Sequence, residues 1–231
     1  MKTFNYHVAK DSKEASKLAS SNSAFLAGGM TSVPSMKLGL ATYKDIIDIK
    51  HIKKLSGIKV SSKSVTIGAT TKHADVANSK EIKKAIPSLA KLAGGIGDAQ
   101  VRNRGTVGGS IANNDPSACY PSACMALNAV IHTNDRKIEA SKFFKGMFET
   151  ALKKGELIEA VEFQIPEKSN YQKHPNPASR YAIIGVYLAK HKKEVNVAVT
   201  GAKSFVYIDK DLSKKLSSSF SSSAIDGMKL N

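Results

Sequence analysis

The first fifty residues predict short helices and strands that follow one another closely. Between Asp11 and Ala19, three apolar residues share one face of a helix; Asp11 can cap its start, and Glu14 completes a capping box. Residues 24–29 predict an apolar strand that ends in two glycines. Residues 43–52 alternate less regularly and predict a strand near 46–49, followed by a helical turn.

The middle of the chain continues this mixture of elements. Two apolar arms, 58–60 and 65–69, lie on either side of a polar turn and predict a hairpin. Residues 71–86 have a helical pattern interrupted near Asn78, and Pro87 is well placed to open the next helix. Further predicted elements are a helix opened by Pro121, two short strands on either side of Asn134, and a strand within 156–166.

The C-terminal third begins with a polar segment, 167–179, which contains two prolines and is the best candidate for a linker or a domain boundary. A second hairpin follows, in which Val195, Val197 and Val199 alternate with other residues. Two serine triplets around Phe220 indicate either a poorly ordered end or a weak helix. The order of elements predicts an α+β protein of two or three subdomains.

Composition narrows the class of protein. A chain of 231 residues with 42% hydrophobic and 23% charged residues can bury a hydrophobic core in one large or two small domains. No apolar run follows the first lysine, so we expect no signal peptide, and no stretch approaches about 18 consecutive apolar residues, so we expect no membrane span. We expect the chain in the cytoplasm. The two cysteines, Cys119 and Cys124, form no metal-binding pattern, and we expect any metal centre to belong to another chain.

The net charge of +16 is a possible sign of nucleic-acid binding. However, the lysines are scattered singly or in pairs, only 6% of residues are aromatic, and tryptophan is absent, so bases would find few stacking platforms. A solvated lysine-rich surface is the favoured interpretation. A basic face that attracts a negatively charged partner or ligand is the second.

Two glycine-rich segments carry the candidate chemistry, 27–34 and 104–116. A Gly-Gly pair lets successive N–H groups point into one concavity that attracts anionic oxygens, and two such turns could clamp a diphosphate from both sides. The hydroxyls of Thr31, Ser32, Thr106 and Ser110 would add donors. Neither segment is a Rossmann or Walker motif, and simple tight turns are the alternative. The spacing favours a helix-entry turn at Asp115 over a carboxylate directed at a cofactor.

Four collinear segments resemble one known family: AGGMTSVPSMKLGLA, TIGATTKHADV, IGDAQVRNRGTVGGSIANNDP and YQKHPNPASRYAIIGV. They are similar to the FAD-binding medium subunit of the molybdenum hydroxylases, the group of aerobic carbon monoxide dehydrogenase and xanthine dehydrogenase. The resemblance implies an α+β fold of the p-cresol methylhydroxylase (PCMH) type, with two α/β subdomains (about 1–55 and 56–172) within residues 1–172. A shortened C-terminal α+β domain would occupy residues 173–231, because the chain ends before that domain of the family is complete.

The resemblance also implies the cofactor and its contacts. FAD would be held by Ala27, Gly28, Gly29, Met30, Thr31, Ser32, Thr106, Val107, Gly108, Gly109, Ser110 and Asp115, and also by Ile158 and Lys173. A core isoleucine and a surface lysine are the alternatives for the last two. Arg102 and Arg104 either offset phosphate charge or anchor backbone carbonyls. Met30 and Cys119 depart from the family pattern, which commonly has His or Thr and Asp at these positions.

The implied function is electron transfer within a larger enzyme. A [2Fe–2S] small subunit would pass electrons to the flavin, a large subunit with the molybdenum cofactor would oxidise the substrate, and an external acceptor would take the electrons. The three chains would form a heterotrimer or a dimer of heterotrimers, and this chain would need no catalytic residue or metal ligand of its own. The alternatives are a stand-alone flavin oxidoreductase of the same fold and a scaffold that has lost the flavin.

Overall fold

A small parallel sheet forms the N-terminal unit of the protein, for which a computed structural model describes residues 1–228. Its strands lie in the order β1-β3-β2, and two helices make the crossovers. Asp11 accepts a hydrogen bond from the N–H of Glu14, while the Glu14 carboxylate accepts from Lys10, one residue before the cap. The elements are β1 (Asn5–Val8), α1 (Ser12–Leu18), β2 (Ser23–Leu26), α2 (Ser32–Lys37) and β3 (Asp45–Asp48).

An antiparallel five-stranded sheet, in the order β4-β5-β10-β6-β7, forms the second unit, and helices cover it. The predicted hairpin, the break between two helices near Asn78 and the helix opened by Pro87 are all confirmed. The strands are β4 (Ile58–Val60), β5 (Ser64–Gly68), β6 (Val130–Thr133), β7 (Lys137–Glu139) and β10 (Ile158–Gln164), with a small hairpin of β8 (Phe144–Gly146) and β9 (Glu149–Thr150). The helices are α3 (His73–Asn78), α4 (Lys80–Ala85), α5 (Pro87–Gly94), α6 (Ala99–Arg104), α7 (Val107–Asn113), α8 (Tyr120–Ala126) and α9 (Ala140–Phe143).

A four-stranded antiparallel sheet, in the order β11-β12-β13-β14, forms the third unit. The linker prediction for 167–179 is wrong, because most of this segment is β11 (Lys168–Pro175), which pairs with β12 over its whole length. The remaining elements are β12 (Ala182–His191), β13 (Glu194–Thr200), β14 (Tyr207–Ile208) and α10 (Lys210–Ser218).

The serine-rich tail packs against this third sheet over its described part. Leu212 and Leu216 of α10 are buried against β13, so the helical alternative for this region is the correct one up to Ser218. Phe220 lies under the ammonium groups of Lys168 and Lys190, at 6.0 and 5.4 Å from its ring centroid. The last residues of the tail, 229–231, lie outside the described residues.

Buried side chains of the described residues form three clusters, and the membership of the two larger ones shows which units share a core. The N-terminal sheet has its own small cluster, with Ala15, Ile47 and Leu55 at its centre. A large cluster includes residues of both the second and the third sheets, such as Phe163 and Tyr187. The boundary proposed after residue 172 falls inside strand β11, and that division into domains stays a prediction.

Asn114 ends helix α7 in the left-handed conformation (φ 43°), and its buried amide donates at 2.8 Å to the carbonyls of both Gly146 and Glu149. We expect Asn114→Ala to lower the free energy of unfolding by about 2–3 kcal/mol, because two hydrogen bonds are lost and alanine is strained at this φ. Urea unfolding measures the change. Asn113→Ala is the matched control and should change stability by less than about 0.5 kcal/mol; equal losses in both variants would contradict the account.

Candidate cofactor-binding site

A cleft of about 410 Å³ lies where the N-terminal sheet meets the second unit. The chain leaves β2 at the carboxyl edge of the parallel sheet and enters the first glycine segment, Ala27–Ser32, which forms one wall. Carboxyl edges of parallel strands are common ligand sites, because loops diverge there and leave a crevice. Residues of helices α6 and α7 and of the loop between β11 and β12 form the other walls.

The first glycine segment offers a row of free backbone donors. Within the described part of the chain, the N–H groups of the five consecutive residues 28–32 have no hydrogen-bond acceptor in the protein. Gly29 has a φ of +72°, a left-handed conformation of the kind that lets successive N–H groups share one concavity. This arrangement confirms the prediction that the first Gly-Gly pair forms a turn with available donors.

Gly28 brings this segment into backbone contact with the chain between α6 and α7. A Cβ atom at Gly28 would collide with the carbonyl oxygen of Arg104 and would lie 2.8 Å from the Cα of Gly105. Real Cβ contacts essentially never come this close, so only glycine allows the approach. The two glycine segments are therefore adjacent, as the diphosphate hypothesis required.

The second glycine segment differs from its prediction. Gly108 and Gly109 are not in a turn but in the first turn of helix α7, and both N–H groups are used inside the protein. Gly108 donates to the carbonyl of Ala69 at 2.8 Å, and Gly109 donates to the capping hydroxyl of Thr106 at 3.2 Å. A Cβ at Gly108 would lie 2.5 Å from the Cβ of Ala69, so this glycine serves close packing of the helix on the sheet. The expectation of a second row of free donors is wrong.

Most of the predicted site residues meet at the cleft. Asp115 lines it and also accepts a hydrogen bond from the N–H of Ser117 at 2.8 Å, which is the turn that its spacing favoured. Ile158 is both a buried core residue and part of the wall. Twelve of the fourteen line the cleft: Ala27, Gly28, Gly29, Met30, Thr31, Ser32, Thr106, Gly108, Gly109, Ser110, Asp115 and Ile158.

Val107 and Lys173 do not line the cleft. Val107 is completely buried in the large core cluster, because the first turn of α7 directs it towards the sheet. The Lys173 ammonium donates to the carbonyls of Gly95 at 2.6 Å and Arg180 at 2.8 Å, and lies 3.6 Å from the Cys119 Sγ. Lys173 thus joins three segments whose residues form the cleft walls, rather than facing the cleft itself.

We expect Lys173→Met to weaken FAD binding by about 3- to 10-fold, because the loop that carries Arg180 and Tyr181 loses its tie to the loop at Gly95. Quenching of flavin fluorescence on binding to the chain without FAD measures the dissociation constant. Lys193→Met, in the exposed turn between β12 and β13, is the control and should leave it unchanged. Equal affinities in both variants would show that Lys173 does not hold the loop in its binding position.

Several residues at the cleft were not among the predicted cofactor contacts. Tyr181 and Arg180 line it from the tip of the β11–β12 hairpin, where Arg180 has a left-handed φ of 60°. Burial and the nearby Asp115 carboxylate raise the pKa of the Tyr181 hydroxyl. Arg102 anchors the cleft loop by donating to the carbonyls of Ile96 and Gly97, at 3.0 and 2.9 Å, so the carbonyl-anchor alternative is correct for it.

Two buried titratable side chains line the cleft, and both were missed as site residues. Burial, with a smaller effect of the Arg102 charge, lowers the pKa of His73 to about 4, so this imidazole is neutral at neutral pH. Burial alone would raise the pKa of Glu156, but hydrogen bonds from Arg136, Lys153 and Thr133 outweigh it and bring that pKa to about 2. A buried carboxylate with these partners is ionised and fixes the chain just before Ile158.

These residues fit FAD. The free N–H groups of residues 28–32 suit a diphosphate, which needs several donors and no nearby carboxylate side chain on the same segment. Apolar side chains elsewhere in the lining suit a flat ring system; they are those of Ile49, Ile96, Leu152, Leu157, Ile158 and Tyr181. The cleft therefore has both the polar and the apolar parts that a flavin dinucleotide requires.

A sequence model for the family described as "FAD binding domain in molybdopterin dehydrogenase" matches residues 2–167. The chain belongs to this family. FAD is accordingly its cofactor, and the chain is an oxidoreductase subunit of the molybdenum hydroxylase type, as its motifs indicated.

Relatives and solved structures agree with the family. The chain is 37% identical over 194 residues to the glyceraldehyde dehydrogenase medium chain of Sulfolobus acidocaldarius, covering 80% of this chain and 69% of that one. It is 38% identical over 170 residues to the carbon monoxide dehydrogenase medium chain of Hydrogenophaga pseudoflava, covering 71% of this chain and 58% of that one.

The fold comparison confirms the predicted PCMH-type α+β fold. A structure of carbon monoxide dehydrogenase from Hydrogenophaga pseudoflava superimposes with a TM-score of 0.90 and 30% identity, over 97% of this chain and 84% of that chain. Among the described residues, no helix is long and apolar enough to cross a membrane, and no group of three or more His, Cys, Asp or Glu side chains could hold a metal ion.

Proposed function

We propose that this chain carries electrons, through FAD, from a partner iron–sulfur subunit to an external acceptor. The observation that carries the proposal is the cleft with its five free N–H groups, in a chain of a family defined by FAD binding. Its relatives named as medium chains support the partners: a large subunit with the molybdenum cofactor and a small [2Fe–2S] subunit, in a heterotrimer or a dimer of heterotrimers. We place the complex in the cytoplasm.

The residues of this chain would bind and orient the cofactor. FAD, when bound, supplies the capacity to accept and release electrons singly or in pairs. The N–H groups of residues 28–32, with the hydroxyls of Thr31 and Ser110, would hold the diphosphate. Leu157, Ile158 and Tyr181 would pack on the ring and exclude water from it, leaving an edge open to the partner.

The family residues that are replaced here do not remove the proposed donors. Met30 is partly exposed and lines the cleft, but the donors of its segment belong to the backbone and are independent of the side chain. Cys119 is buried and also lines the cleft, where it lies beside the Lys173 ammonium. These observations favour retained FAD binding over the flavin-free scaffold.

The test uses the FAD-loaded chain and its own small subunit, purified from the co-expressed complex. The small subunit is reduced with dithionite, freed of excess reductant, and mixed with the oxidised chain in a stopped-flow spectrometer without oxygen. We expect the flavin absorbance to bleach as the iron–sulfur absorbance recovers. An unrelated reduced [2Fe–2S] ferredoxin is the control and should react at least about 10-fold more slowly, because it lacks the docking surface.

Two outcomes would overturn the proposal. A chain that stays colourless after FAD is added would be a scaffold without the flavin. A flavin that reacts equally fast with the small subunit and with the unrelated ferredoxin would show no specific electron transfer, and the stand-alone flavin oxidoreductase would then be the better account.

A further inference from the structure

His73 stands where helix α3 begins, against the chain that connects α6 to α7. Its N–H donates to the carbonyl of Gly105 at 3.0 Å, and its ring lies against Tyr120 with the ring centroids 5.4 Å apart. The residue is only 4% exposed, yet it lines the cofactor cleft. A buried polar ring in the wall of a ligand cleft needs partners for both of its nitrogens.

The protein gives the ring nitrogens of His73 no partner within the described residues. Nδ1 is buried without a hydrogen bond. Nε2 lies beside Gly105, which also lines the cleft; a Cβ atom on Gly105 would be 2.7 Å from it. The charged group that acts on the ring is Arg102, and its positive charge together with burial keeps the imidazole neutral.

Neutrality leaves one proton for two nitrogens. A proton on Nδ1 would be a buried donor without an acceptor, which costs more than an unused lone pair at the same place. A proton on Nε2 lies beside Gly105, which lines the cleft. The Nε2–H tautomer is therefore favoured, and it presents one donor at the cleft wall.

Gly105 connects this donor to the first glycine segment. Both the Nε2 of His73 and the backbone of Gly28 lie close to Gly105: a Cβ on Gly105 would be 2.7 Å from this nitrogen, and a Cβ on Gly28 would be 2.8 Å from the Gly105 Cα. Gly28 is the first of the five residues with free N–H groups. We propose that His73 is a further cofactor-binding residue, whose Nε2–H donates to a diphosphate oxygen of bound FAD. This inference rests on the proposed placement of FAD in the cleft.

Calorimetric titration of the chain without FAD tests the inference, with FAD and with ADP as probes. We expect His73→Phe to weaken the binding of both by about 10- to 100-fold, because a hydrogen bond to a charged oxygen is lost. His73→Gln should recover most of the affinity, since its amide can donate from a similar position. His132→Phe is the matched control, because His132 is half-buried on β6 and pairs with Glu162 away from the cleft; it should bind both probes like the parent chain.

Nitrogen-15 NMR of the histidine rings gives a second readout on the unaltered chain, which serves even where His73→Phe fails to fold. We expect the Nε2–H tautomer before ligand is added, and a downfield shift of that proton when ADP binds. An Nδ1–H tautomer, or a folded His73→Phe chain that binds ADP as tightly as the parent, would overturn the inference while leaving the FAD site intact. A parent chain that binds neither FAD nor ADP would overturn both.

Discussion

Replacing Gly28 with alanine is expected to weaken FAD binding by at least about 100-fold, so that binding is no longer measurable. The added Cβ would collide with the carbonyl oxygen of Arg104 and approach the Cα of Gly105 to 2.8 Å. Both obstacles are backbone atoms, which cannot turn aside as a flexible side chain can. The first glycine segment would have to move away from the chain between α6 and α7, and its five N–H groups would be displaced with it.

Fluorescence titration with FAD and thermal unfolding of the chain without FAD together measure this effect. Gly94→Ala is the matched control: its Cβ would meet only the Cβ of Ala77 at 3.8 Å, at the end of helix α5. That variant should bind FAD normally and should be as stable as the parent or slightly more so. Unchanged FAD affinity in Gly28→Ala would show that the contact between the two segments does not shape the site.

Glu156→Gln is expected to lower the free energy of unfolding by about 2 kcal/mol at neutral pH. The Glu156 carboxylate accepts from Arg136 at 2.9 and 3.1 Å, from Thr133 at 2.8 Å and from the Lys153 N–H at 2.8 Å. A neutral amide keeps the shape but loses the charge and one acceptor. The Arg136 guanidinium then remains without its counter-charge.

The pH dependence of this effect identifies its electrostatic origin. Folding lowers the pKa of Glu156 from its ordinary 4.5 to about 2, so the unfolded chain takes up the proton first as the pH falls. The stabilisation is complete above pH 4.5 and is lost as the pH falls through about 2. The difference between the parent and Glu156→Gln should therefore shrink steadily over that range.

Urea unfolding at a series of pH values measures the difference in free energy between the two chains. The contribution of His73 to the free energy of unfolding also falls in acid. His73 is present in both chains, so this contribution cancels in the difference. Glu139→Gln is the control, because Glu139 forms only an exposed pair with Lys142 and should contribute less than about 0.5 kcal/mol. A difference that stays constant with pH would mean that packing, not charge, stabilises the region around Glu156.

The sequence predicted elements well wherever a local signal decided the structure. Asp11 and Pro87 each mark the start of a helix, and the hairpin at 58–68 has a polar turn between two apolar segments. The linker prediction for 167–179 was wrong because polarity and prolines are local signals, whereas the strand forms by pairing with β12. Tyr171 is buried against Tyr187, a contact that depends on this tertiary pairing.

The same distinction applies to the site. The first glycine segment was predictable because free N–H groups and a left-handed glycine follow from the residues themselves. The role of the second glycine segment was not predictable. Gly108 has no side chain because helix α7 packs closely on Ala69, which is distant in sequence. His73 and Tyr181 lie in segments that resemble the family, but His73 was interpreted as structural and Tyr181 was not assigned to the site; Glu156 had no local signal. Lys173 was assigned to the flavin although its neighbours in space are carbonyl groups of the cleft wall.

The position of the cleft along the chain has a consequence for how the protein is made. Its walls come from residues as early as Ala24 and as late as Tyr181. On a ribosome, the first glycine segment emerges long before the hairpin that carries Tyr181, so the pocket is incomplete during most of synthesis. A flavin bound in this cleft would therefore find its site complete only after residue 181 has been translated.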